Sequence, residues 1–439
     1  MTGEWTSVTL GQIADASPHA FVDGPFGSNL PASCYTPGGV PVIRGSNLSL
    51  GTTRFRSEGF VYVSDETASR LRRSCCKPFD IIFTKKGTLG QTGIVPERSK
   101  HERYLLSGNQ MKVTVDRSKA DPLFIYYLVS SPASRAKIIQ DSEATGVPKT
   151  NLQYLRAFPI LLPPVAEQAT IAQVLGALDD KIELNRRMNA TLEAMARALF
   201  QNWFVDFDPV RAKCEGRQPA GLDAETAALF PAGFQDSCLG PIPRGWTVGT
   251  LNDAFNLTMG QSPPGHTYNE EGTGVPLYQG RTDFGFRFPT RRVFCTAPTR
   301  FAKPGDTLVS VRAPVGDINI ADEECCVGRG VAAVRHKSGA TSFTYYAMLN
   351  LAPDFARFEG EGTVFGSINK QAFENLALVL PPPAFLAAYE RYASPLDNQI
   401  RTLEHQSRTL ATLRDTLLPK LLSGELRVPA AAKLMEARQ

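Results

Sequence analysis

No part of this 439-residue sequence approaches the roughly 20 consecutive apolar residues that a helix needs to cross a bilayer, which excludes a helical membrane span. The opening Met1-Thr2-Gly3-Glu4-Trp5 has neither the basic nor the apolar region of a secretory leader, so a cytoplasmic protein with no membrane association is expected. Histidine is scarce: His19, His101, His266, His336 and His405 show no H-E-x-x-H spacing. The eight cysteines include the adjacent pairs Cys75-Cys76 and Cys325-Cys326 but no C-x-x-C, so zinc-site spacing is absent and reduced structural thiols are expected. There is no G-x-x-x-x-G-K-[ST] loop for ATP, and Gly87-Thr88-Leu89-Gly90-Gln91-Thr92-Gly93, lacking the lysine, reads as a turn. The Pro-Pro pairs 163–164, 263–264 and 381–382 follow Leu162, Ser262 and Leu380, so none has the Asp or Asn that opens the [DN]-P-P-[YF] clamp of an adenine methyltransferase. Catalytic motifs and metal ligands are therefore not expected in this chain.

What the chain has instead is one pattern written twice. Leu162-Pro163-Pro164 recurs as Leu380-Pro381-Pro382, and the same offset of 218 residues relates Thr145 to Thr363, Asn151 to Asn369, Asp179 to Asp397 and Leu199 to Leu417. Upstream the offset is larger: 241 for Trp5 and Trp246, 235 for Gly39-Val40-Pro41 and Gly274-Val275-Pro276, and 226 for Lys77-Pro78-Phe79-Asp80 and Lys303-Pro304-Gly305-Asp306. The first copy thus carries small insertions within a duplicated unit. Short runs such as Ile81-Ile82-Phe83-Thr84, Met111-Lys112-Val113-Thr114-Val115 and Thr307-Leu308-Val309-Ser310-Val311 are punctuated by Gly and Pro, which predicts an α+β lobe with a small curled sheet in each half.

Each lobe is followed by a long amphipathic helix. Ile171, Leu175, Leu178, Ile182, Leu192 and Leu199 fall on one heptad stripe, and Leu396, Ile400, Leu403, Leu410 and Leu417 on another. Two such seams should bury each other, with Asn185, Asn189 and Ser407 near mid-seam as register-fixing polar groups. Ser394-Pro395 reads as an N-cap and first-turn proline, predicting that the second helix is broken there. A helix of roughly 30 to 40 residues spans about 45 to 60 Å, longer than one DNA turn of about 34 to 36 Å, a length suited to a ruler. Between the first helix and the second lobe, the Pro- and Gly-rich stretch from Asp208-Pro209 to Pro241-Ile242-Pro243 predicts an ordered, partly extended connector. The aromatic cluster Trp203-Phe204-Val205-Asp206-Phe207 before it is either packing at the helix end or a partner-protein surface.

Net charge is only +4, but unevenly spread: +6 over residues 1–161, −4 over 162–242, zero over 243–380 and +2 over 381–439. The neutral second lobe holds a basic cluster, Arg281, Arg287, Arg291, Arg292, Arg300, Lys303 and Arg312. That is the footprint of a phosphate-contacting surface or of an ordinary solvated face.

The order of lobe, helix, lobe, helix resembles the DNA-specificity (S) subunit of type I restriction-modification systems. The phrases that carry the resemblance are Gly24-Pro25-Phe26-Gly27-Ser28, Leu162-Pro163-Pro164 with Glu167-Gln168, Trp203 to Val210, Gly240-Pro241-Ile242-Pro243-Arg244-Gly245-Trp246, and Leu418-Pro419-Lys420-Leu421-Leu422-Ser423-Gly424. The resemblance implies target-recognition domains at 1–161 and 243–380, helical spacers at 162–206 and 381–424 packed as an antiparallel coiled coil, a connector at 207–242 and a tail at 425–439. It implies recognition of a bipartite asymmetric site on double-stranded DNA, with two methyltransferase (modification) subunits and restriction/translocase subunits as partners. S-adenosylmethionine, ATP and Mg are then expected on those partners and no cofactor on this chain. One departure is that Phe385-Leu386 stands where the first copy has Glu167-Gln168, so the two surfaces for the modification subunits are expected to differ locally. The alternatives are a protein-binding repeat scaffold, or the DNA-binding part of a fused restriction-modification enzyme.

Guanine is read by bidentate Arg or Lys and adenine by Asn or Gln, because the donor and acceptor pairs match the base edges. Loop residues of those types at equivalent repeat positions are the candidate DNA contacts. They are Ser28, Asn29, Arg44, Lys85, Lys86, Gln110, Lys149 and Thr150 in the first lobe, and Gln279, Arg281, Arg312, Arg329, Ser367, Asn369 and Lys370 in the second.

Overall fold

A computed structural model of the chain describes residues 5–143, 150–359 and 366–427. Two units emerge, Met1–Leu184 with Gln406–Gln439, and Asn185–His405. Among the described residues no helix is long and apolar enough to cross a membrane.

In the first unit Thr6–Thr9 pairs antiparallel with Pro159–Leu162, so the lobe's two ends are tied together. Between them lie a four-stranded antiparallel sheet, in the order Phe21–Asp23, Gln110–Val113, Ile81–Thr84, Thr92–Ile94, and a five-stranded mixed sheet in which Val40–Ile43 and Tyr104–Leu106 run parallel. Ile81–Thr84 and Val40–Ile43 are buried at every position, the pattern of strands covered on both faces. A buried aspartate closes the turn before Ile81: Asp80 accepts from the Lys77 amide at 2.9 Å, Lys112 Nζ at 2.7 Å and Thr114 Oγ1 at 2.5 Å.

The second unit repeats this topology strand for strand. Thr247–Thr250 pairs with Ala377–Leu380, and the four-stranded sheet runs Phe255–Met259, Val331–His336, Thr307–Ser310, Ile318–Ile320. Its mixed sheet again has one parallel pair, Val275–Tyr278 with Cys325–Val327. Asp306 plays the part of Asp80, accepting from the Lys303 amide at 2.7 Å and from Arg335. The duplication seen as a sequence offset is thus a duplication of sheet order and polarity. All eight cysteines are free, and burial pushes the Cys325 thiol up to about 12.

The helices Val165–Phe204 and Pro383–Leu422 have 40 residues each, and each is shared between the two units, the boundary falling after Leu184 in the first and after His405 in the second. In the first unit Ile171, Leu175 and Leu178 share a core with Leu413, Leu417 and Leu421, together with Phe124 and Ile125 of the lobe. In the second, Ala196, Phe200 and Trp203 share one with Tyr389 and Ala393. Residue numbers rise on one helix as they fall on the other, so the pairing is antiparallel. Ile182, Ile400 and Leu403 are also buried, whereas Leu192, Leu199, Leu396 and Leu410 are half-buried. Asn185 and Asn189 are buried mid-seam; Asn185 Nδ2 donates to the Leu403 carbonyl at 3.4 Å and Asn189 Nδ2 to Glu404 Oε1 at 2.7 Å.

Two expectations are corrected. The second helix is not broken at Ser394-Pro395 but runs through. An interior proline costs about 3 kcal/mol by removing one backbone hydrogen bond; here fully buried Tyr389, Ala393 and Ile400 anchor the helix on both sides of it, and Ser394 Oγ donates to Glu390 Oε2 at 2.7 Å. The connector is less extended than expected, since it contains the helices Asp208–Cys214 and Ala224–Leu229. Pro209 fits the first turn of one, and Asp223 caps the other by accepting from the Thr226 amide at 2.7 Å. The aromatic cluster before it is packing: Trp203, Phe204 and Phe207 are buried, with the Trp203 ring 5.3 Å from Phe230 and 6.0 Å from Tyr389.

Candidate nucleic-acid interface

In the first unit the buried strand Val40–Ile43 delivers Arg44 to the rim of the lobe, where a short turn, Gly45–Asn47, reverses the chain. Asn47 is fully buried and holds this turn from inside. Its Oδ1 accepts from the Arg44 amide at 2.9 Å, and its Nδ2 donates to the carbonyls of Arg56 at 3.0 Å and Glu58 at 2.9 Å. The next buried strand, Ile81–Thr84, delivers Lys85 and Lys86, and the Ser107–Gln110 turn closes the third side. Gly24 is required there, because a Cβ would collide with the Ser107 carbonyl.

These segments enclose a cleft of about 400 Å³, lined among others by Arg44, Arg56, Lys86, Gln91, Asn109 and Gln110. Three cations and three amides converge, with no carboxylate among the described lining residues. Arg44 spends one donor on the Gly59 carbonyl at 3.1 Å, while Lys86 and Arg56 are exposed. Such a surface suits phosphate oxygens and base edges, the former attracted by the cations and the latter matched by amide and guanidinium forks.

Of the first-lobe candidates, Arg44, Lys86 and Gln110 come together in this cleft. Lys85 turns the other way and pairs with Asp23 at 2.8 Å. Thr150 is buried and donates to the Thr84 carbonyl at 3.2 Å, anchoring the strand end. Ser28 and Asn29 are exposed in the turn Gly27–Asn29, outside the cleft lining, and Lys149 lies outside the described residues. Arg56, Gln91 and Asn109 were missed because their spacing carries no signal; the loop pinned by Asn47, the hairpin closed where Thr84 N donates to the Gln91 carbonyl, and the turn against Gly24 place them. Phe26 was missed as well. It is 78% exposed, one residue beyond Pro25, whose carbonyl abuts Gly108 at the cleft's edge.

The second unit presents a related but chemically different edge. Strand Val275–Tyr278 delivers exposed Gln279, whose backbone N–H donates at 2.8 Å to Oδ2 of buried Asp283, the counterpart of Asn47. Gly328 and Gly330 press against Gln279 and bring exposed Arg329 beside it. Arg281 pairs with Asp317 at 3.0 Å, and exposed Arg312 forms a backbone bridge with Ser367. Asn369 caps the helix Lys370–Glu374 by accepting from the Ala372 amide at 2.9 Å, as Asn151 caps Leu152–Ala157, and Lys370 pairs with Glu374 at 3.4 Å. The basic cluster needs correction at Arg287, which is 1% exposed and so contributes no surface charge. Arg291 and Arg292 pair with Glu323 and Asp283, leaving Arg300, Lys303 and Arg312 as exposed cations without a carboxylate partner among the described residues.

Arg287 belongs to an arrangement that occurs in both units. It donates to Asp397 Oδ1 at 3.1 Å and to the Tyr346 hydroxyl at 2.9 Å, and Tyr346 donates to the same carboxylate at 3.0 Å. In the first unit Arg54 Nε lies 3.8 Å from Asp179, its Nη2 meets Asp180, and the Tyr127 hydroxyl donates to Asp179 at 2.7 Å. Burial, then the adjacent aspartate, pushes the Tyr127 and Tyr346 hydroxyls far above the ordinary tyrosine range. Burial opposes the charge on Arg287, but Tyr345 and Asp397 more than offset it, and the guanidinium stays protonated. Arg54 and Arg287 are 233 residues apart, between the 235 and 226 offsets that flank them, which is the one signal that would have found them.

A duplicated scaffold that presents two unlike polar and cationic edges defines a tandem reading protein. The chain belongs to the family of the type I restriction modification DNA specificity domain, whose model matches residues 3–194 and 243–409. It is 28% identical over 356 residues to the putative type I restriction enzyme MjaX specificity subunit of Methanocaldococcus jannaschii, covering 80% of this chain and 79% of that one. It is 23% identical over 409 residues to the type I restriction enzyme HindI specificity subunit of Haemophilus influenzae, covering 78% and 87%. The crystal structure of the type I restriction-modification system S subunit from M. genitalium shares the fold, with a TM-score of 0.55 at 16% identity over 95% of this chain and 96% of that one.

Proposed function

We propose that this chain reads a bipartite, asymmetric site on double-stranded DNA, one half with each lobe, and brings modification and restriction subunits to it without chemistry of its own. The observation that carries the reading is the contrast between the two edges. One scaffold presents Arg44, Arg56, Lys86 and Gln110 in the first unit and Gln279, Arg312 and Arg329 in the second. Like folds with unlike side chains suit two different half-sites. Methyl transfer then belongs to two modification subunits that bind S-adenosylmethionine, and cleavage to restriction/translocase subunits that use ATP and Mg. The candidate contacts divide by chemistry. Exposed Lys86, Arg300 and Lys303 serve phosphates, whereas Arg44, Gln279 and Arg329, set at or next to strand ends, serve base edges, and buried Gln110, which accepts from Ser107 Oγ, shapes the cleft.

The experiment is a binding and methylation series on the chain assembled with its modification subunit. DNA affinity should fall linearly with salt on logarithmic axes, at about 0.9 per phosphate neutralised, and methylation should need the assembly. Salt-independent binding would favour a protein scaffold. Methylation by this chain alone would favour a fused enzyme. Native mass spectrometry of the assembly should show two modification subunits per chain.

A further inference from the structure

The Arg–carboxylate–tyrosine arrangement has the same three attachments in both units. The backbone of each arginine is held by the edge strand of the four-stranded sheet: Ile94 N donates to the Arg54 carbonyl at 3.0 Å, and Ile320 N to the Arg287 carbonyl at 2.9 Å. The side chain reaches a long helix, at Asp179 and Asp180 in one unit and Asp397 in the other. The carboxylate is held in turn by a tyrosine of the lobe, Tyr127 or Tyr346. The arginine also lies in the segment that forms the reading edge. Arg56, two residues beyond Arg54, lines the cleft, and Arg287 lies in the loop that carries Arg281, Asp283 and Arg292.

A fourth member of each cluster differs. Arg414 donates to Asp179 at 2.8 Å, while its repeat counterpart is Ala196; Glu193 accepts from Tyr345 at 3.3 Å, while its counterpart is Ala411. The arginine, the aspartate and the tyrosine are therefore what the two copies keep in common. Arg287 is held by two hydrogen-bonded oxygens, on Asp397 and Tyr346, and Arg54 by a hydrogen bond to Asp180 and an ion pair with Asp179 at 3.8 Å; a planar guanidinium so placed fixes orientation as well as distance, which a lysine on a flexible stem does not.

We infer that Arg54 and Arg287 are positioning residues, each locking its lobe's DNA-reading loop onto the adjoining long helix so that base selectivity in one half-site depends on one latch. The inference rests on the DNA-reading function proposed above. A loop tied at both sheet and helix presents its side chains in one geometry. Released from the helix, it accommodates a mismatched base pair at smaller cost.

The test uses the full chain assembled with its modification subunit, carrying Arg54→Met or Arg287→Met. The readout is the methylation rate on the wild-type target and on targets with single substitutions in either half. Discrimination against one mismatched pair is ordinarily on the order of ten- to a hundred-fold. Arg54→Met should lower it several-fold in the half read by the first lobe and leave the other half unchanged, and Arg287→Met should do the reverse. Arg54→Lys should restore little, since it returns the charge without the fork. If Arg287→Met does not fold, Tyr346→Phe, which removes the hydroxyl that bridges Arg287 and Asp397 but leaves their ion pair, should give the same one-sided change at smaller size. Equal loss in both halves, or slower methylation of every target with unchanged ratios, would overturn the latch. A wild-type assembly with no two-part preference would instead overturn the function on which it rests.

Discussion

Lys86 is an exposed cation at a cleft with no carboxylate among its described lining residues, and its neighbour Lys85, of the same type, pairs with Asp23. Lys86→Ala should therefore weaken DNA binding by the assembly across all sequences and reduce the salt slope by about one, whereas Lys85→Ala should act mainly on folding; titration at several salt concentrations separates the two. His336 provides a pH test. Its ring stacks edge-on to Phe255 at 5.0 Å, its Nδ1 accepts from the Ser338 amide at 3.0 Å, and burial followed by the Lys337 charge holds its pKa below the ordinary 6.5. A base depressed in the fold favours the neutral form. Its contribution is full above 6.5 and is lost as pH falls from there through the folded value. Melting temperatures between pH 8 and 5 should fall less in His336→Gln than in the wild type. The reading of residue types in repeat-equivalent loops named Arg44, Lys86 and Gln110, which line one cleft, alongside Thr150 and Asn369, a buried anchor and a helix cap, because those roles use the same polar side chains that a base contact would. Arg287 looked like surface charge because its partner Asp397 lies 110 residues away in the chain.

The long helices were legible as elements because heptad spacing is a local property, and their caps and interruptions were not. Pro395 signals a break in any isolated helix, but burial on both sides of it decides otherwise. The half-buried state of Leu192, Leu199, Leu396 and Leu410 has the same origin: the helices serve lobe and partner helix together, so the burial face is not a strict two-position seam. Trp203 sits in this shared packing, fully buried among Phe230, Tyr389 and Tyr392. Trp203→Ala should cost about 3 to 5 kcal/mol, read as a lower denaturation midpoint, and a change near zero would contradict the packing described. Asn189→Leu tests the polar mid-seam. Replacing a buried amide by an apolar side chain should raise the melting temperature while weakening the specification of helix register.

For the whole molecule, the repeat divides conserved architecture from free chemistry. Sheet order, strand polarity, the Asp80 and Asp306 turns and the Arg–Asp–Tyr latches agree between copies, while the side chains at the reading edges do not. The constant offset of 218 covers the helices, and the drifting offsets cover the sheets and loops that carry those edges. The central claim is that each lobe reads one half of a two-part site. The most direct measurement is single-molecule methylation mapping of a genome modified by the assembly, before and after residues 1–161 are exchanged for the corresponding lobe of a relative that recognises a different site. The account predicts a two-part motif in which only one half changes. A change in both halves, or in neither, would contradict it.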